Sequence, residues 1–265
     1  MTATTLPPAQ GAAPWSDRQF KYLIIYPAIL LLLLIGLFPV LYSLMVSFQN
    51  LTMLRQDYGW NGFAQYGKLI ETGRFWWSML HTFIITAIAL PLELIFGLAM
   101  AQLFIKRLAF KKLFIAFLIL PAVIPLIVAG GIWRMMLDVS FGPVNQILGW
   151  IVGTTVVANW LIDPFLVYPT IILTEVWEWT PFMFLILLAA LSNVDPSQHE
   201  AAEMDGAGFW TIFFRISLPA IWPVMIVALL IRGLDLVRLF DIVWALTKGG
   251  PGTLTETISV YMYTM

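Results

Sequence analysis

Residues 199–219 read HEAAEMDGAGFWTIFFRISLP. They form a charged island between two strongly apolar stretches. Glu200, Glu203 and Asp205 precede two glycines, Gly206 and Gly208, and an aromatic-rich run then closes on Pro219. Just upstream, Asp195 followed by Pro196 suits a helix N-cap and first helical position, with Gln198 where a capping box places its return donor. The pattern predicts a short helix from Pro196 to about Met204, a turn at Gly206 and a second helix from near Gly208. Phe209, Ile212, Phe213 and Ile216 would share one face of that second helix. The expected element lies along a membrane surface and presents apolar knobs beside acidic residues. Periodicity alone leaves two readings open: an interfacial helix that stabilises the bundle, or a docking element for another subunit.

The remainder of the chain places this island in a membrane protein. Of 265 residues, 60% are hydrophobic and 11% charged, whereas soluble domains carry about 25% charged residues. The net charge of −1 suggests no nucleic-acid partner. The absence of cysteine excludes disulfides, thiol chemistry and a cysteine metal site. Residues 1–17 lack a basic start followed by an apolar core, so they are not a cleavable signal. A disordered cytoplasmic tail is expected over residues 1–21, followed by a membrane domain over 22–265.

Five apolar stretches are long enough to span, since crossing takes about 20 residues. They run roughly Tyr22–Phe48, Trp76–Ile105, Leu113–Leu137, Leu166–Leu191 and Ile216–Leu246. All are expected as helices, because an isolated strand cannot satisfy its backbone in lipid. Lys106, Arg107, Lys111 and Lys112 mark the loop after the second span as cytoplasmic, and Arg18 and Lys21 put the N-terminus on that side. Residues 138–165 hold no Lys or Arg and are expected outside. Alternation then puts the loop at about 192–219 inside. Arg55, Lys68 and Arg74 run against the bias in the first loop.

Charges within spans are costly and mark candidate function. Glu93 lies in the second span. Arg232, Asp235, Arg238 and Asp241 follow at steps of three in the fifth, with alternating signs. Two readings are open: ion pairs that staple the helices together, or groups lining a water-accessible path. Trp177, Glu178 and Trp179 could add ring stacking to such a path, although tryptophans mostly serve as interface anchors.

The island itself resembles the signature of ABC-importer permeases. That signature is E-A-A, two residues, D-G-A, eight residues, then I-x-L-P. Here Glu200-Ala201-Ala202, Asp205-Gly206-Ala207 and Ile216-Ser217-Leu218-Pro219 stand at that spacing. Residues 179–183, 240–247, 249–252 and 142–145 are similar to the carbohydrate, maltose-type branch of these binding-protein-dependent components. The resemblance implies an all-α polytopic helical bundle, the type I ABC importer transmembrane domain. Five spans are visible, and a sixth is expected beyond Met265. It also implies that Glu200, Ala201, Ala202, Asp205, Gly206, Ala207, Phe209, Phe213, Ile216, Leu218 and Pro219 form a coupling loop gripped by an ATPase. Asp205 would cap the second helix or pair with a basic partner residue. Glu93, Trp177, Glu178, Trp179, Arg232, Asp235, Arg238 and Asp241 are the candidate translocation path.

No phosphate-cradling G-x-x-x-x-G-K-[ST] is present, and His81 and His199 form no metal-ligand pair. The chain is therefore expected to be a transport subunit, without enzymatic activity, cofactor or metal of its own. ATP and magnesium would be bound by a partner. The resemblance implies a second homologous permease, two ATP-binding subunits, a periplasmic solute-binding protein and a sugar substrate, in the bacterial inner membrane. A sugar phosphate, a polyol or another small solute is the nearest alternative; an unrelated channel or membrane enzyme is the more distant one.

Overall fold

The computed structural model describes residues 17–50, 59–106 and 109–265. The first sixteen residues of the expected tail lie outside that range, and Asp17 already begins the first helix. The chain divides into two compact units, residues 1–71 and 72–265.

In the first unit, α1 (Asp17–Leu32) runs through a π turn at Leu33–Leu37 into α2 (Phe38–Ser47). Lys21–Ser47 is 27 residues long, about 40 Å of helix and enough to cross a bilayer. The chain then folds back. Phe48 stacks on Trp60 at 5.7 Å and meets Phe63 edge-on, and Ser47 Oγ lies 2.7 Å from the Tyr66 hydroxyl on α3 (Ala64–Glu71).

The second unit is built around α4 (Gly73–Ile105) and α8 (Pro164–Ser192). On α4, His81, Ile85, Ala89, Glu93, Gly97 and Ala101 are all buried. Steps of four keep these residues on one slowly turning ridge. Small residues on the ridge let α8 approach closely, as membrane helix packing requires. At Gly97 an added Cβ would stand 2.6 Å from the Met183 Cβ and 2.9 Å from the Phe184 nitrogen. Against this pair packs α11 (Leu218–Val237), entered through α10 (Phe209–Ile212) and a π turn at Phe213–Ser217. Both π turns end two residues before a proline, Pro39 and Pro219. Proline cannot donate to the preceding turn, and the widened turn absorbs the mismatch.

The third and fifth spans depart from expectation. Leu113–Leu137 is not one straight helix: α5 (Lys111–Val123) and α6 (Leu126–Met136) meet at 95°. Ile124, which precedes Pro125, takes ψ 133°, because the proline ring disfavours the helical region for the residue before it. The fifth span starts earlier than expected, at Phe209, and ends at Val237. Residues 238–240 break it, and α12 (Asp241–Leu246) packs on α6, where Gly130 leaves room for Ala245. Among the described residues, four helices are long and apolar enough to cross a membrane, or five if α5 and α6 form one bent span. The expected outer loop carries α7 (Pro143–Val152), and α13 (Ile258–Thr264) packs beside the start of α4. There Arg74 forks onto Glu256 through Nε at 2.7 Å and a terminal nitrogen at 2.5 Å.

Candidate functional site

Two places gather the candidate residues. The first is the loop between α8 and α11. Helix α9 (Pro196–Met204) has the bounds its sequence pattern predicts. The Asp195 carboxylate accepts from the Ser197 backbone nitrogen at 2.9 Å. Bonds from Ser197 hold its pKa below the ordinary carboxylate value. The side chain of Gln198 makes no return bond, so the cap is one-sided. At the other end Gly206 takes φ +80°. The Ala207 nitrogen donates to the Ala202 carbonyl at 2.9 Å and the Gly206 nitrogen to the Glu203 carbonyl at 3.0 Å. This is a Schellman closure, which needs a left-handed residue that glycine supplies without a Cβ penalty. Asp205 is therefore the C-cap of α9 and does not cap the next helix, whose N-cap is Gly208.

The loop buries little of itself. Glu200, Ala201, Glu203, Met204, Asp205 and Gly206 are exposed, and Ala202 and Ala207 are half-buried. The expected apolar face does not point outward: Ile212 and Phe213 are buried, and Ile216 and Leu218 are partly buried. Segment 209–217 is the first part of the fifth span rather than a separate surface helix, so its apolar residues pack against the bundle. Phe209, Trp210 and Phe214 remain exposed, as does Pro219. A cavity of about 680 Å³ lies under α9, lined by His199, Glu200 and Glu203 on one side and Phe213 and Ser217 on the other.

The second place is a buried charge cluster. Arg232 donates from Nε and a terminal nitrogen to the two oxygens of Glu93, at 2.8 Å each, and to Glu175 at 2.7 Å. Its guanidinium sits 4.3 Å from the ring centre of Trp179. All three charged residues are at most 2% exposed, and each comes from a different long helix. The cluster separates two apolar cores. One holds Ile85, Ala89, Ile171 and Leu236, the other Ala101, Phe184, Ile221 and Met225. Fixed two-pronged geometry and opposite charge offset the large cost of removing these groups from water.

Of the two readings left open for these charges, Arg232 takes the first, stapling the fifth span to α4 and α8. Arg232 pairs across helices rather than with Asp235. Asp235 pairs with Arg238 at 3.2 Å, with both side chains exposed. Arg238 caps the helix and Asp241 belongs to α12, so the four charges at steps of three do not share one helix. Trp179, Arg232, Asp235, Arg238 and Asp241 nevertheless border one cavity of about 410 Å³, together with Glu175. Glu93 lies behind Arg232. Trp177 turns away and meets Trp133 edge-on at 5.6 Å, and Glu178 is buried with Oε2 unpartnered. Sequence reasoning missed Glu175. The same rule that singled out Glu93, a carboxylate inside an apolar span, applied to it.

Comparison with known proteins gives these two places a context. Residues 93–265 match the family described as "Binding-protein-dependent transport system inner membrane component". The chain is 33% identical over 249 residues to the trehalose/maltose transport system permease protein MalF of Thermococcus litoralis, covering 94% of this chain and 84% of that one. It is 33% identical over 250 residues to the sulfoquinovosyl glycerol transport system permease protein SmoG of Agrobacterium fabrum, covering 93% and 80%. Its fold superposes with a TM-score of 0.80, at 25% identity, on a chain of a bacterial alginate ABC transporter. That transporter was solved in complex with its alginate pentasaccharide-bound periplasmic protein, and the match covers 92% of this chain and 82% of that one.

Proposed function

This chain belongs to the family of binding-protein-dependent transport system inner membrane components, and we propose that it passes a sugar across the membrane as one half of an ATP-driven importer. It is a permease subunit and a helical membrane protein. The further assembly follows from what such a half lacks. Alternating access needs a second membrane half, so a homologous permease is the expected partner. The chain holds no P-loop, so two ATP-binding subunits would supply the hydrolysis and hold the magnesium. A periplasmic solute-binding protein would deliver the substrate. The N-terminus and the 192–219 loop would then face the cytoplasm, as the cluster of Lys106, Arg107, Lys111 and Lys112 favours.

The observation that carries this reading is α9. It is short, capped at both ends, exposed along its outer side and closed by a glycine turn that only a few residue types tolerate. A rigid knob in a socket passes the closure of two ATPase subunits to the membrane helices as a rigid-body movement. Sugar as the substrate rests on the relatives named trehalose/maltose, sulfoquinovosyl glycerol and lactose permeases. The cavity beside Arg232 supports it, since it offers carboxylates, guanidinium groups and the Trp179 ring, which suit hydroxyls and the faces of a sugar ring. A sugar derivative or polyol would use the same chemistry. Co-purification tests the coupling role: a tagged chain is expected to retain its ATPase, and Glu200→Arg and Gly206→Pro to lose it. Retention by both variants would remove α9 from the docking surface.

A further inference from the structure

We propose that the hydrogen bond between His199 and Ser217 is the strut that carries movement of α9 into α11, which makes His199 a positioning residue for coupling. This rests on the reading that α9 receives the ATPase.

Helix α9 buries none of its nine residues. Its two ends are chain joints, at residues 193–195 and 205–208. The cavity beneath it lies between the helix, the ends of α4 and α8, and the base of the fifth span. A helix with no fully buried residue, set over a cavity, transmits little of a push through packing, because packed atoms carry load only where they touch. A push would then be absorbed by swinging about the two joints.

A hydrogen bond bridges that space. His199 Nε2 lies 3.0 Å from Ser217 Oγ. Among the described residues it is the one side-chain hydrogen bond that joins α9 to another helix. The two residues stand 18 positions apart, so the bond closes the whole loop into a ring. Ser217 is 4% exposed and is the last residue of the π turn at Phe213–Ser217. A π turn departs from the regular hydrogen-bond ladder, and such turns favour sites where a helix changes direction. The strut therefore lands where the fifth span can pivot. Fifteen residues farther along, that span carries Arg232 and its grip on α4 and α8.

The test uses the complete complex, isolated through a tag on this chain and reconstituted in vesicles with its binding protein. His199→Ala is expected to keep the ATPase subunits at the unaltered level while ATP hydrolysis stimulated by the binding protein, and uptake, fall ~fivefold, the scale of one lost hydrogen bond. Ser217→Ala should do the same, and the double variant should be no worse than either. His199→Gln, which can place a side-chain nitrogen near the Nε2 position, should recover most of the coupling, a rescue that a general packing role would not give. Should His199→Ala fail to accumulate, Ser217→Ala removes only a hydroxyl and carries the same expectations. Unchanged uptake in the alanine variants, or a double variant whose losses add, overturns the strut. Loss of the ATPase from the His199→Ala complex overturns it too, because His199 would then belong to the docking surface, and the docking reading would stand. An unaltered complex that contains no ATPase overturns both.

Discussion

Arg232 and Glu93, 139 positions apart, meet in two parallel hydrogen bonds of 2.8 Å each, with both side chains at most 1% exposed. With Glu175 on the third side, a single guanidinium ties α4, α8 and α11 together. Removing it leaves two buried carboxylates without a partner. Arg232→Met is expected to destabilise the chain by about 3–5 kcal/mol, whereas the triple change with Glu93→Leu and Glu175→Leu should cost far less. Arg232→Lys should not restore the single loss, because a lysine cannot fork. Thermal unfolding in detergent, compared across the three variants, measures this. Equal loss in the single and triple variants would contradict it.

Glycine spacing along α4 makes a sharper demand. Gly97→Leu must push α8 away at Met183, and we expect the folded yield to collapse, since overpacking by even a few methylenes costs about 1–3 kcal/mol. Gly131, on α6, has nothing within 4 Å of its would-be Cβ. Gly131→Ala is expected to be tolerated or mildly stabilising, by at most ~1 kcal/mol. Monodispersity on size exclusion separates the two outcomes.

Asp235 and Arg238 distinguish a path from a staple. Their pair is exposed, and exposed pairs contribute about 0–1 kcal/mol. Asp235→Ala and Arg238→Ala should therefore leave assembly and unfolding temperature almost unchanged. If the cavity beside them is the sugar path, uptake falls in both. Unaltered uptake with intact assembly would remove them from the path and leave Glu175, Trp179 and Arg232 as its remaining polar wall.

The cap on α9 gives a pH dependence of known sign. Bonds from Ser197 lower the Asp195 pKa in the folded chain, so the stabilisation is present above the unfolded value of about 3.9 and is lost as pH falls through the folded value. Hydrogen-exchange protection at Ser197 and Gln198 should decline below about pH 4. In Asp195→Ala it should be low at every pH. Protection in that variant equal to the unaltered chain would show that the carboxylate does not hold the helix.

Local chemistry carried much of this structure into plain view. The bounds of α9 follow from Asp195, Pro196 and Gly206, whose preferences act within four or five residues. The spans follow from apolar run length. Glu93 and Arg232 stood out because charge in an apolar span is rare. The break in the third span was also local, in Ile124 before Pro125, but run length alone hid it.

Other features had no local signal. Ile212 and Phe213 keep helical spacing whether they face a partner or their own bundle, and only the continuation of the second loop helix into α11 turns them inward. Run length likewise carried the fifth span on to Leu246, while the chain breaks after Val237. A helical membrane protein with a capped, glycine-closed loop follows from the residues in order, because run length, capping and backbone preference are short-range properties of the chain. Tertiary structure alone decided that Arg232 answers Glu93 and Glu175 rather than Asp235, and that His199 reaches Ser217. Those choices depend on which helices share a face in space, and spacing along one helix does not contain that information.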